Sequence, residues 1–278
     1  MNNTQVSNTP ANHPALARSL ALLLLCCIAL PGAPIAFAEP EAEKGLAIAV
    51  EADRRDTGFG DTSVDLTMLI ASSPDNIITR EMRQMVLEVA GDGDKSIMVF
   101  DRPRDLKGTA ILTFTHKTEA DEQWLYLPAL KRVKRISSAD KSGPFMGSEF
   151  AYEDLSSQEV EKYSYKYLRD ETINGELCFV LERIPTDANS GYTRQVTWVD
   201  QSEYRQQRVD YYDRKGALLK TMIAVDYEQY LDHYWRPGEL IMTNHQTGKS
   251  TTLKFGNYQF RTGLQDSDFT PSAIARIR

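Results

Sequence analysis

Residues 61–70 read DTSVDLTMLI, and this run decides the fold class. Val64, Leu66, Met68 and Ile70 stand at every second position with Asp65 and Thr67 between them, the period of a strand with one buried face. Upstream the period differs. In residues 41–53, Ala42, Leu46, Ala49, Val50 and Asp53 fall at three- and four-residue steps, which predicts a helix whose apolar stripe takes its bulk from Leu46 and Val50. Downstream the period of two returns with Met85, Leu87 and Val89, and again with Ala110, Leu112 and Phe114.

Turn residues join these runs into antiparallel hairpins. Asp92-Gly93 separates VLEV from SIMVF, and Asn174-Gly175 separates YKYLRDETI from ELCFVLERI; both dipeptides tolerate the positive φ of tight hairpin turns. Lys215-Gly216 and Thr247-Gly248 continue the meander toward the C-terminus, giving roughly nine to eleven strands. Strands joined in sequence with one polar face each must hide the other face, by curling into a barrel or by packing on helices. The expected architecture is therefore mainly β with a little α: a half-open antiparallel β-barrel or curved sheet, with a few helices covering its mouth. One cover is the N-terminal helix; the other is a helical or looped piece over residues 142–158, where Gly143, Pro144 and Gly147 break the strand pattern.

Residues 19–30, SLALLLLCCIAL, follow Arg18 and precede Ala36-Phe37-Ala38, the arrangement of a secretory signal cleaved after Ala38. The run is shorter than the roughly 20 residues of a membrane span. Residues 1–38 thus read as a signal peptide and 39–278 as a single exported domain. The 240 residues that remain carry 31 basic against 39 acidic side chains, which argues against general nucleic-acid binding. Cys26 and Cys27 lie inside the apolar run after Leu25, where a lipid-modified cysteine wants a small residue before it. Cys178 is then the only cysteine of the exported chain, so no intramolecular disulfide forms and stability rests on the core.

Residues 123–155 concentrate what chemistry of binding the chain offers. Trp124 and Tyr126 share one face of a strand and Leu125 and Leu127 the other, so this strand is covered on both sides. Phe145, Met146, Phe150, Tyr152 and Leu155 form an apolar, glycine-interrupted segment. Two readings stand: an adaptable surface for an apolar ligand, or a permanent plug of the barrel. Lys131, Arg132, Lys134 and Arg135 divide between two strand faces, and they read either as a contact for an anionic membrane or partner, or as a solvated edge that discourages aggregation.

Catalytic signatures are weak. His116, His233 and His245 lack metal-ligand spacing, no G-x-S-x-G elbow is present, and Asp92-Gly93-Asp94 is half a calcium loop that a turn explains better. No catalytic residue, metal or cofactor is expected.

Arg102-Pro103 and Lys107-Gly108-Thr109, then QWLYLPALKRVKRI (123–136), FMGSEF (145–150) and YEDL (152–155), carry a resemblance. Over about residues 46–274 the chain resembles the bacterial outer-membrane lipoprotein-sorting proteins, a family related to the periplasmic carriers LolA and LolB. The resemblance implies a half-open barrel whose mouth is closed by helices and whose hydrophobic cavity accepts acyl chains of lipoproteins or other lipids. It implies a non-enzymatic periplasmic carrier, served by an inner-membrane exporter and touching membranes only peripherally. The alternative it leaves open is a sensor or an accessory subunit of an envelope exporter. No residue matches the arginine that locks the lid of the best-known carrier, so that detail is not carried over. Trp124, Tyr126, Phe145, Met146, Phe150, Tyr152 and Leu155 are the candidate cavity and lid residues.

Overall fold

A 13-stranded antiparallel sheet carries the fold, in the order β6-β5-β4-β3-β2-β1-β15-β14-β11-β10-β9-β8-β7. This computed structural model describes residues 40–137 and 140–277; the expected signal peptide, residues 1–38, lies outside the described residues. The first half of the sheet is β1 (Asp61–Ser73), β2 (Asn76–Leu87), β3 (Lys95–Arg102), β4 (Ala110–Phe114), β5 (Glu122–Leu127) and β6 (Arg132–Ile136). The second half is β7 (Tyr163–Ile173), β8 (Glu176–Pro185), β9 (Tyr192–Asp200), β10 (Gln206–Asp213), β11 (Leu218–Val225), β14 (Glu239–Asn244) and β15 (Ser250–Phe260). A separate hairpin, β12 (Glu228–Tyr230) with β13 (Tyr234–Arg236), interrupts the meander between β11 and β14. These three-residue strands are too short to show a period of two, which accounts for part of the gap between the sequence count and the 15 strands among the described residues.

One long-range pairing makes one sheet from two meanders. β15 pairs along β1, with Met68 opposite Leu253 and Ile70 opposite Thr251, so the C-terminal half is zipped to the N-terminal half. The edge strands β6 and β7 do not pair with each other, and the sheet is not a closed barrel. Residues 137–162 join those edges, and the described part of the segment crosses the inner face of the sheet instead of closing it.

Local chemistry accounts for the turns. Ile173 pairs with Glu176 across Asn174-Gly175, whose φ values of 51° and 88° are those of a two-residue hairpin turn. The Asp92-Gly93 expectation is corrected: β2 and β3 are linked by residues 88–94, and the positive φ belongs to Gly91. Gly93 is small for another reason, since a Cβ there would stand 2.6 Å from the Thr115 carbonyl.

The N-terminal helix, α1 (Pro40–Asp56), is longer than the sequence suggests and rests on a different face. Leu46 and Val50 are about half exposed, whereas Gly45 and Ile48 are buried. Gly45 lets the helix approach the backbone of β7 so closely that a Cβ would lie 2.8 Å from the Tyr167 nitrogen. Ile48 then packs with Leu181 and Val199. Acidic Glu41 and Glu43 in the first turn and Arg54 and Arg55 in the last complement the helix dipole. A short helix, α2 (Pro271–Ile274), ends the fold, capped by the Thr270 hydroxyl accepting from the Ala273 amide. Among the described residues, no helix is long and apolar enough to cross a membrane.

Candidate functional site

Alternation along the strands sorts apolar side chains onto two faces. On the inner face Val64, Leu66, Met68 and Ile70 of β1 meet Met82, Met98 and Phe100 on one side and Leu253, Met242 and Met222 on the other. Their registers agree, with Leu66 opposite Met82, Met82 opposite Phe100, and Met222 opposite Met242. On the outer face Ile97, Val99, Ala110 and Leu112 pack under Phe269 and Ile274 of the C-terminal segment.

The segment after β6 fills the inner face. Phe145 and Phe150 are each only 1 % exposed and belong to the inner cluster, while Met146, Tyr152 and Leu155 pack against it half-buried. Phe145 stacks on Phe100 with ring centroids 6.0 Å apart and meets the Tyr152 ring edge-on at 5.5 Å. Pro144 and Ala151 pair as an isolated bridge, and the Phe145 amide donates to the Phe150 carbonyl at 2.7 Å, closing a small loop. At its tip Met146 and Gly147 take φ of 49° and 79°. The Met146 value is a conformation that L side chains adopt at some energetic cost.

A buried polar network fastens this segment, and the sequence reading missed it. Lys220 of β11 is 3 % exposed; its ammonium donates to the Asp154 carboxylate at 2.6 Å and to the Glu149 carbonyl at 2.9 Å. Asp154 also accepts from the Tyr192 hydroxyl at 2.8 Å and from the Ala151 amide at 2.6 Å. Glu149 accepts from Asn244 at 2.7 Å, and its amide donates to the Thr251 hydroxyl at 3.0 Å. Glu153 accepts from the Ser190 hydroxyl and the Gly191 amide, each at 2.8 Å, and burial raises its pKa. From β2, Arg80 donates to the Met146 carbonyl. Burial, with Asp154 close by, pushes the Tyr192 phenol well up, so it remains a donor.

With the segment seated little space is left. A cavity of about 10 Å³, room for one water, remains between Gln84, Ser96, Met98, Ile111, Phe145 and Tyr152.

The seven aromatic and apolar candidates do not form one surface. Trp124 and Tyr126 lie on the outer face, against the cluster under Phe269 and Ile274, and Phe114 meets Trp124 at 5.0 Å. They do not line the inner face with Phe145, because they alternate with Leu125, which packs against the inner cluster. The basic candidates divide in the same way. Arg135 stands opposite Trp124 and pairs with Glu122 at 2.6 Å, whereas Lys134 and Arg132 stand opposite Leu125 and Leu127. Lys131 occupies the turn before β6 at φ 47°, and all four basic residues are exposed.

Two histidine contacts bear on catalysis. His245 Nε2 lies 2.7 Å from the Thr221 hydroxyl, but that hydroxyl donates to Asp210 at 2.7 Å. Its proton faces the carboxylate, so the histidine is not placed to remove it. His116 lies 2.7 Å from Asp92 on a half-exposed turn and holds that carboxyl down at about 2. Burial pushes the Cys178 thiol up to about 11, the opposite of an activated nucleophile. Among the described residues, no group of three or more His, Cys, Asp or Glu is placed to hold a metal ion.

The fold has close counterparts. A domain from Vibrio parahaemolyticus, described as a putative outer membrane lipoprotein-sorting protein domain, is 58 % identical, with a TM-score of 0.83 over 84 % of this chain and 100 % of that one. The chain belongs to the LolA-like lipoprotein-sorting family. A DUF1329 family protein from Desulfovibrio piger is 30 % identical with a TM-score of 0.79, covering 84 % of this chain and 99 % of that one. A LolA superfamily protein from Nitrosomonas europaea is 25 % identical with a TM-score of 0.65, over 84 % and 98 %. Residues 92–276 match the model of a family described as “-like: Uncharacterized protein”. No curated protein matches. For this LolA-like chain the large, unclosed antiparallel sheet with few helices is the family architecture.

Proposed function

We propose that this LolA-like protein is a periplasmic, non-enzymatic carrier, exported by residues 1–38, that shelters acyl chains of lipoproteins or other envelope lipids on the inner face of its sheet. The observation that carries the reading is how that face is filled. Phe145 and Phe150 close it from a segment that makes no ladder with the sheet and is held by side-chain contacts from Arg80, Lys220, Tyr192 and Asn244. Withdrawal of residues 144–155 would uncover a surface built from methionine, leucine, isoleucine and phenylalanine, which repacks readily around chains of varied shape. Burial of an acyl chain gains about 0.8 kcal/mol per methylene, and this gain opposes the cost of displacing the segment. Transfer then needs no covalent step, only an acceptor with a stronger hold.

The test is binding of a fluorescent fatty acid, together with native mass spectrometry and lipid extraction of protein purified from the envelope. The expected result is bound or acquired lipid, with uptake faster when Phe145 and Phe150 are both replaced by serine. Protein that arrives empty and binds no acyl probe would sink the carrier reading.

A further inference from the structure

The registers of β1 to β6 bring three loops to one end of the sheet: the β1–β2 tip, residues 103–109, and the 128–131 turn. Ala71 stands opposite Ile77, Glu81 opposite Arg102, Ala110 opposite Tyr126 and Leu127 opposite Arg132. The second and third loops touch, since a Cβ on Gly108 would lie 3.4 Å from Pro128 Cγ. β2 runs past its neighbour: its pairing with β3 begins only at Glu81, so residues 76–80 pair with β1 alone, itself zipped to β15 as far as Ala71, and leave an open edge at this end.

This end exposes apolar side chains that the fold does not use. Ile77 is 52 % exposed, Ile78 51 % and Leu130 63 %. Along the same end lie exposed Arg102, which pairs with Glu81 at 3.2 Å, Arg104 and Lys107 at the 103–109 loop and Lys131, Arg132 and Lys134 at the turn before β6 and on β6, against Asp75 and Asp105. A basic excess here contrasts with the net charge of −7 of the whole chain. Lysine and arginine on β6 alone would be explained as protection of an open edge. Two adjacent isoleucines at this open edge are not: they point to opposite faces, and each is left about half exposed. Apolar tips with cations beside them match the interface of an anionic bilayer, where side chains enter the headgroup region and basic groups meet phosphate.

We propose that this end is a docking site for an anionic lipid surface, contacted by Ile77, Ile78 and Leu130 and oriented by the basic residues of the 103–109 loop and β6. The site is independent of the carrier reading, yet it adjoins the interior segment, because Arg80 of the same strand holds the Met146 carbonyl.

Co-sedimentation of the purified protein with vesicles of phosphatidylethanolamine and phosphatidylglycerol tests it, with pure phosphatidylcholine as the reference. Binding at least tenfold stronger to the anionic vesicles is expected, and it should weaken as salt rises. Ile77→Ser with Ile78→Ser, and separately Lys131→Glu with Arg132→Glu, should each lower binding tenfold or more while the protein still unfolds cooperatively, the second pair leaving the thermal midpoint in place because its side chains are exposed. Equal binding to neutral vesicles, or variants that bind as the parent does, would overturn the proposal. So would a protein partner captured at this end by a chain that ignores both kinds of vesicle. Acyl-probe uptake in detergent-free solution should be unchanged in these variants, so failure here is separable from failure of the carrier reading.

Discussion

Strands β3, β4 and β5 are covered twice, by residues 144–155 on the inner face and by residues 264–277 on the outer, and the two covers are fastened differently. The outer one is an apolar lid: Phe269 and Ile274 are essentially fully buried, with Leu264 and Ile277 packed beside them. Its polar contacts lie at its margins, where Asp61 accepts from the amides of Thr262 and Gly263, and Lys95 meets the exposed Asp266. The inner cover matches it in aromatic burial but adds an ion pair, Lys220 with Asp154, whose side chains are 4 % and 2 % exposed. A buried ion pair is poor value for stability, because desolvation offsets the attraction. What it supplies is a seat that holds only in one arrangement. The contrast suggests a permanent core on the outside and a detachable one within.

Removing one partner of the buried pair is the strongest way to break that comparison. Lys220→Ala leaves Asp154 buried without its cation, and a loss of about 3–5 kcal/mol in urea denaturation is expected if the segment stays seated. Undocking relieves the penalty, so the same variant should become sensitive to proteolysis within residues 140–158. Lys220→Met combined with Asp154→Leu should recover most of the stability while slowing acyl-probe uptake. A double variant as weak as the single one would show that the pair is not the fastening.

Aromatic truncation sharpens the same point. Phe269→Ala should cost about 3–5 kcal/mol, because the outer cover has no means to collapse around the cavity, and acyl-probe uptake should not change. Phe145→Ala should cost less, about 2 kcal/mol, since a segment outside the ladder can shift to fill the gap, and uptake should rise. Equal losses with equal uptake would place both covers in one permanent core.

Much of the sheet was legible in the sequence, because Val64 to Ile70 and Asn174-Gly175 express backbone rules that act locally. The interior segment was visible as a break in that pattern, with Phe145, Phe150 and Tyr152 already marked. Its fastening was not, since Lys220 lies 66 residues from Asp154 in the chain. One signal was present. Lys220 shares a strand face with Met222 and Ala224, and a lysine in register with buried apolar positions demands a carboxylate. Trp124 and Tyr126 read from the sequence as cavity residues, because alternation says which residues share a face but not which face is inside. Likewise Leu46 and Val50 obeyed helical spacing, yet the glycine at position 45 set the docking face by permitting backbone contact.

The smallest expected effect is on pH dependence, and it separates the covers again. Where the interior segment leaves the sheet, burial pushes Glu159 up to about 7, helped by the nearby charges of Asp94, Asp53 and Glu161 and opposed by Lys117. Burial likewise pushes Asp94 up to about 6, with Glu88 and Asp56 adding to it and the Ser157 hydroxyl opposing. In the unfolded chain both carboxyls titrate near their ordinary values, so below about pH 4 both states are protonated and these groups contribute no slope. Between there and about pH 7 the unfolded chain releases protons that the folded chain keeps, so stability falls as pH rises and then levels off. Each unit corresponds to about 1.4 kcal/mol at most; with screening at a partly wet site, a total of about 1–2 kcal/mol is expected. Urea denaturation at pH 5 and pH 8 should show the fall, and Glu159→Gln should remove most of it. Hydrogen exchange locates the effect: residues 150–158 should open more readily at pH 8, beyond the intrinsic change in exchange rate, while residues 269–274 should not. A Glu159→Gln protein that keeps the full slope, or an outer cover that loosens equally, would remove the last distinction between the two.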